Sequence, residues 1–272
     1  MKCKILGTYT AWLVIALVLW FPIIWIALAS FKSLVEFSAY PPRLLPASLT
    51  FANYIAVFKY SNLLVYMRNT LIIMFFTTLG TLVSSSIVAY PLARINFPGR
   101  GSIFAIVMAT MMIPAFVTII PQYILFMKLK WLDTFWPIIV PAWFGYPFNI
   151  FLFRQFYRTI PRELDEAAKI DGASEWQIFR KIILPLSRPI FVTIGILSLI
   201  FWWNEFFTPM VFIKSEKLKP LSVGVYSFAR TVFTIRWDWL MAMAVLMLIP
   251  PLVLFVLGRR YITEGIKTYG LK

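Results

Sequence analysis

Histidine is absent from all 272 residues, and cysteine occurs once, at Cys3. The first absence removes the commonest metal ligand and the usual side chain for proton transfer near neutral pH. The second forbids an internal disulfide. Neither a metal centre nor a Ser/His/Asp triad is therefore expected. Acid is also scarce, with 11 Asp and Glu against 26 Lys and Arg and a net charge of +15. Such an excess can signal nucleic-acid binding, but here the basic residues stand singly between apolar runs and form no stripe or arm. They read as membrane-flanking charge, with no nucleic-acid partner. No G-x-x-x-x-G-K-[ST] loop occurs, so the chain is not expected to hydrolyse nucleotide itself.

What is abundant is apolar sequence. Hydrophobic residues make up 61% of the chain and charged ones 14%, with a mean hydropathy of +0.81. A hydrocarbon core about 30 Å thick needs about 20 helical residues, and six nearly charge-free windows of 20 to 27 residues meet that need. They predict an all-α polytopic membrane protein with spans at about 9–31, 69–93, 102–127, 134–157, 188–213 and 239–258. Neither a repeat nor a linker divides it, so one membrane domain over 1–272 is expected. Ala27-Leu28-Ala29 resembles a leader cleavage site. However, the run before it is too long for a signal core and carries Trp12, Trp20, Pro22 and Trp25, so an uncleaved anchor is expected. Placing both termini in the cytoplasm puts 15 of the 26 Lys and Arg inside, a modest bias in the expected direction.

The most charged passage, "ELDEAAKIDGASEWQIFRKIILP" (Glu163 to Pro185), lies between the fourth and fifth spans. Its local grammar predicts a helical hairpin over 159–185. Pro161 sits near the first turn of one helix, where its missing N–H costs least. Glu163, Asp165 and Glu166 suit the positive end of that helix, and Gly172 falls where a left-handed terminator is needed. Ser174 and Gln177 fit a capping box for a second helix. There Trp176, Phe179 and Ile183 share a face that would pack on the bundle. Pro185 is expected to end this helix, and Ser187 to cap the fifth span. Ala167 and Ala168 would let a partner approach the backbone closely. A solvating loop needs none of this; a docking element does.

The same passage resembles the EAA motif of ABC-importer permeases through Glu166, Ala167, Ala168, Asp171-Gly172 and Leu184-Pro185. Other segments are similar to the carbohydrate-importer branch, specifically its maltose-permease G-type subunits. They are "SFK" at Ser30–Lys32, "AYPLARINFPGR" at Ala89–Arg100, "MMIP" and "IPQY" within Met111–Tyr123, "WNEFFTP" at Trp203–Pro209 and the closing "GRRYITEGIKTYGLK". The resemblance runs in order along nearly the whole chain. It implies the type I ABC-importer fold and a multi-pass place in a bacterial or archaeal cytoplasmic (inner) membrane. It also implies a heterodimer with a homologous second permease, two ABC ATPase subunits that bind the ATP and magnesium, and an external solute-binding protein that delivers a sugar or oligosaccharide. The hairpin would be the coupling helix, with Glu163, Glu166, Ala167, Ala168, Asp171 and Gly172 at the ATPase and Glu166 the first choice for a basic partner. The tail, 259–272, would reach the ATPase dimer through Thr268 and Gly270, although Tyr269 and the final Leu-Lys depart from the family pattern.

Within the fifth span, Trp203, Asn204, Glu205 and Phe206 are candidates for the translocation path or for a gate or partner contact. A carboxylate at that depth must face a cavity, pair with a base or be protonated. Trp202, Trp203 and Phe206 could stack on sugar rings. Two alternatives stay open: an importer for an amino acid, polyamine or phosphate ester, and an ATP-independent channel or carrier. The basic outer residues Lys214, Lys217, Lys219, Arg230 and Arg236 would be compatible with an anionic sugar.

Overall fold

The computed structural model describes residues 2–41, 43–229 and 235–270, with backbone alone for 2–8, 229, 257 and 259–270. No strand occurs among the described residues. The helices that position the site are α1 (Lys2–Ala29), α2 (Ala52–Tyr60), α3 (Leu63–Arg94), α4 (Arg100–Ala109), α5 (Ala115–Lys128) and α6 (Pro147–Thr159). They are followed by α7 (Glu163–Ile170), α8 (Glu175–Ile178), α9 (Arg188–Asn204), α10 (Phe207–Phe212), α11 (Leu221–Ala229) and α12 (Trp237–Gly270).

Among the described residues, four segments can each cross a membrane by length and hydropathy: Tyr9–Ala29, Leu63–Arg94, Trp136–Thr159 and Trp237–Val256. Two bent pairs raise the number to six if each is one span. They are Arg100–Met112 with Ala115–Lys128, bent by 94°, and Glu175–Leu186 with Arg188–Asn204, bent by 73°.

The expected third span is thus not a rod. Ile113 precedes Pro114 and is extended (φ −79, ψ 114), the conformation that the proline ring imposes on its neighbour. The fourth span is also interrupted. A 3-10 turn over Val140–Phe144 ends at Gly145 (φ 89), and α6 restarts at Pro147. Hydroxyls of α3 satisfy the freed backbone groups, as buried irregular backbone in a membrane requires. Ser84 Oγ donates to the Ala142 carbonyl (3.3 Å), and the Tyr146 amide donates to Ser85 Oγ (3.0 Å).

Helix α3 is the axis of the molecule, packed by α6, α9 and the Trp136–Phe144 segment. Its buried side is small and polar (Thr70, Thr77, Gly80, Thr81, Ser85, Ser86, Ala89), so neighbouring backbones come close. At one end, Ala89, Tyr90 and Ala93 form a core with Phe153 and Tyr157 of α6 and with Ile178, Phe179 and Ile183 of the hairpin. At the other, Leu63 and Tyr66 pack with Val57, Trp203, Leu221 and Met243. By contrast, α1 is exposed from Tyr9 to Pro22 and becomes buried only toward Ala29, and it touches α12. The "SFK" segment that follows α1 is held by Asn53, whose amide donates to the Ser30 and Lys32 carbonyls (both 2.8 Å).

Candidate coupling site and the break in the fifth span

The hairpin forms as two capped pieces. Helix α7 starts one residue beyond Arg162, so Pro161 lies just outside it rather than in its first turn. Gly172 has φ +80, and Ser174 and Gln177 complete the reciprocal capping box (2.8 and 3.3 Å). Pro185 does not end the second helix. Instead a π-turn over Phe179–Ile183 precedes it and the chain stays helical to Leu186. The wider turn relieves the clash that proline has with a carbonyl four residues back. Ser187 stands at the start of α9, but its hydroxyl bonds back to the Ile183 carbonyl (2.7 Å) instead of capping forward.

Burial divides α7 by face. Glu163, Glu166, Ala167 and Ile170 recur at helical spacing and are exposed, Ile170 at 87%; Asp171 and Gly172 continue that surface. Ala168 is half-buried and Asp165 is buried. On the second helix Phe179 and Ile183 enter the core as expected. Trp176 does not: it is 58% exposed, and Ile178 takes the inward place. The hairpin therefore presents acids beside bare apolar groups.

Its root is a polar clamp that reading along the chain did not find. Arg94 Nε donates to Asp165 Oδ2 at 2.7 Å, Nη1 to the Tyr157 and Ile160 carbonyls (3.0 and 2.6 Å) and Nη2 to the Pro161 carbonyl (3.0 Å). One turn earlier on α3, Tyr90 donates its hydroxyl to Glu175 Oε2 (2.8 Å), and Lys169 pairs with Glu175 Oε1 (2.6 Å). Both hairpin helices are thereby tied to the end of α3. Tyr90 and Arg94 belong to the "AYPLARINFPGR" segment, and that segment was the available signal.

The fifth-span candidates are placed differently from one another. Helix α9 stops at Asn204, and Glu205 lies at a break rather than midway along a helix. Its carboxylate accepts the Thr208 amide (2.8 Å) at the start of α10, and Ser222 Oγ donates to its carbonyl (2.6 Å). Trp203 is buried and donates its indole N–H to the Met247 carbonyl (3.1 Å). Asn204 is exposed and donates back to Ile200 (2.8 Å). Phe206 meets Tyr226 edge-on (5.5 Å). It is Trp202 that lines a cavity of about 240 Å³ between α3, α6 and α9, with Thr81, Tyr146, Asn149, Ser198 and Phe201. Among the described residues no charged side chain lines it. The side chain of Thr268 and the contacts of Gly270 lie outside the described residues.

Of the basic outer residues, Lys219 is bound to Glu216 (2.5 Å) and Ser227 (2.9 Å). Arg236 is held by Asp238 (2.7 and 3.0 Å) and lies over Trp239. Arg230 is outside the described residues.

Comparison with known proteins shows the family. Residues 81–268 match the model of the binding-protein-dependent transport system inner membrane component. The arabinooligosaccharides transport system permease protein AraQ of Halalkalibacterium halodurans is 33% identical, covering 95% of this chain and 93% of its own. The trehalose/maltose transport system permease protein MalG of Thermococcus litoralis is 31% identical, covering 96% and 94%. A chain in the crystal structure of a bacterial ABC transporter involved in import of the acidic polysaccharide alginate superposes with a TM-score of 0.84 at 26% identity, covering 96% and 98%. A chain matched over most of its length by the family model, and over nearly all of it by permeases more than 30% identical, belongs to the family of binding-protein-dependent transport system inner membrane components.

Proposed function

We propose that this chain is a permease subunit of an ATP-driven importer that moves a sugar or oligosaccharide across the inner membrane. Six spans cross the bilayer, the third bent at Pro114 and the fifth starting at Arg188 after the hairpin, with both termini and the hairpin in the cytoplasm. A homologous second permease completes the pathway, and an external binding protein delivers the sugar. Two ATPase subunits bind ATP and magnesium and supply the energy.

The observation that carries the reading is the outer face of α7. Glu163, Glu166, Ala167 and Ile170 form an exposed apolar and acidic strip on a helix anchored to the protein through the buried Asp165. A bare isoleucine beside two acids suits a partner with an apolar cleft and a basic rim. The carbohydrate assignment is supported by the relatives' named cargoes and by the cavity. Tyr146, Phe201 and Trp202 offer aromatic faces, and Asn149, Ser198 and Thr81 offer hydrogen bonds. The uncharged lining suits a neutral sugar.

The test is affinity purification of a tagged copy from native membranes in mild detergent. A second permease and an ATPase should be recovered with the wild type, and the ATPase should be lost from Glu166→Arg combined with Gly172→Val. If the wild type emerges alone and passes solute in liposomes without ATP, a channel or carrier replaces this reading.

A further inference from the structure

We propose that Arg94 and Tyr90 are positioning residues that transmit displacement of the hairpin to the wall of the cavity. This rests on reading the hairpin as the ATPase-docking element. Helix α3 has 32 residues, hence a length of about 48 Å at 1.5 Å per residue, and it overshoots a hydrocarbon core of about 30 Å. The excess brings its last turn beside the hairpin. Tyr90 and Arg94 are four residues apart, so both project from one face of that turn. One holds the second hairpin helix at Glu175 and the other holds the first at Asp165.

The chemistry of the arginine decides what kind of joint this is. An apolar interface can slide, because dispersion has no preferred direction. A guanidinium is a planar fork with donors in fixed directions, and here its nitrogens are committed to four acceptors within 3.0 Å. Two of those acceptors, the Tyr157 and Ile160 carbonyls, lie at the end of α6, and a third belongs to the Pro161 link into α7. The one side chain therefore joins the ends of α3 and α6 and the start of the hairpin.

Both joined helices lead to the cavity. Thr81 of α3 lines it, about 20 Å from Arg94 at the helical rise. Tyr146, just before α6, and Asn149 within it line it as well. A push on α7 reaches two cavity walls through one rigid connector. The clamp also has a second arrangement in reach. Asp165 Oδ1 is buried without a hydrogen-bond partner, and a rotation that made the pair bidentate would satisfy it.

The experiment reads cavity accessibility and needs no knowledge of the sugar. Cys3→Ser leaves a cysteine-free chain, and Asn149→Cys places one thiol in the cavity. The complex co-purified from membranes is reconstituted in liposomes. Labelling by a charged methanethiosulfonate reagent is then timed without nucleotide and with ATP, magnesium and vanadate. With the clamp intact, nucleotide should change the labelling rate at least ~5-fold, the lower end of ordinary allosteric coupling. In Asp165→Asn and in Tyr90→Phe, which loses one hydroxyl, the change should fall below about 2-fold on the same scale, while both variants still recover the ATPase and hydrolyse ATP. Retention of the full change in both variants overturns the proposal. So does loss of the ATPase from both, which would make the pair a scaffold for docking alone. A wild type that recovers the ATPase but shows no nucleotide effect also overturns it and leaves the importer reading standing. A wild type that recovers no ATPase sinks the importer reading itself.

Discussion

The guanidinium of Arg94 and the carboxylate of Asp165 meet at 2.7 Å although 71 residues separate them in the chain, and their side chains are only 2% and 12% exposed. An ion pair this enclosed contributes little beyond what a well-packed apolar pair would, because desolvation offsets most of the attraction. Its removal by halves is another matter.

Arg94→Ala leaves Asp165 buried without a counter-charge and frees three carbonyls of the α6–α7 link. The expected loss is about 3–5 kcal/mol, read as a lower midpoint of thermal unfolding in detergent. Lys169→Ala breaks a pair whose members are about half exposed, and should cost no more than about 1 kcal/mol. Equal losses would contradict the burial argument.

Gly172 has φ +80 with open space around it, so only backbone strain opposes a side chain there. Gly172→Ala should cost about 1 kcal/mol in hairpin stability, while Gly172→Asn should cost less, since asparagine tolerates the left-handed region. Hydrogen exchange of the α7 amides would rank the two.

Gly80 tests packing instead. A β-carbon on it would come within 2.5 Å of the Trp143 ring, and overpacking of this kind costs about 1–3 kcal/mol. Trp143→Ala should rescue Gly80→Ala, giving a clear coupling in a double-mutant cycle of thermal stabilities. Additive losses would place the clash elsewhere.

Asp133 supplies the pH dependence. It accepts the hydroxyl of Ser215, the Ser215 amide (2.8 Å) and the Lys214 amide (2.9 Å), and these bonds hold its carboxyl below the ordinary 3.8. A depressed carboxyl stabilises the fold above its unfolded value and loses that contribution as pH falls through the folded one. The stability gap between wild type and Asp133→Asn should stay level from neutral pH down to about 5 and close below 3.8.

Much of the hairpin was legible in one dimension. Its cap, its glycine terminator and its acidic first turn act within four residues, and interactions that short leave their mark on the local sequence. The apolar windows were legible for a similar reason, since membrane thickness sets a length that can be counted. Family membership followed because its motifs lie in order along the chain.

What the tertiary structure alone decided concerns direction and partnership. A charge-free window does not say where a helix breaks: Pro114 turns the third span by 94°, and Glu205 spends its carboxylate on the Thr208 amide. Helical spacing placed Trp176 beside Phe179, yet only packing determined that Trp176 stays outside. Arg94 and Tyr90 look like ordinary flanking residues of a span. Their partners stand 71 and 85 residues away, and no local propensity encodes a bond between groups that meet only after α3, α6 and the hairpin have packed.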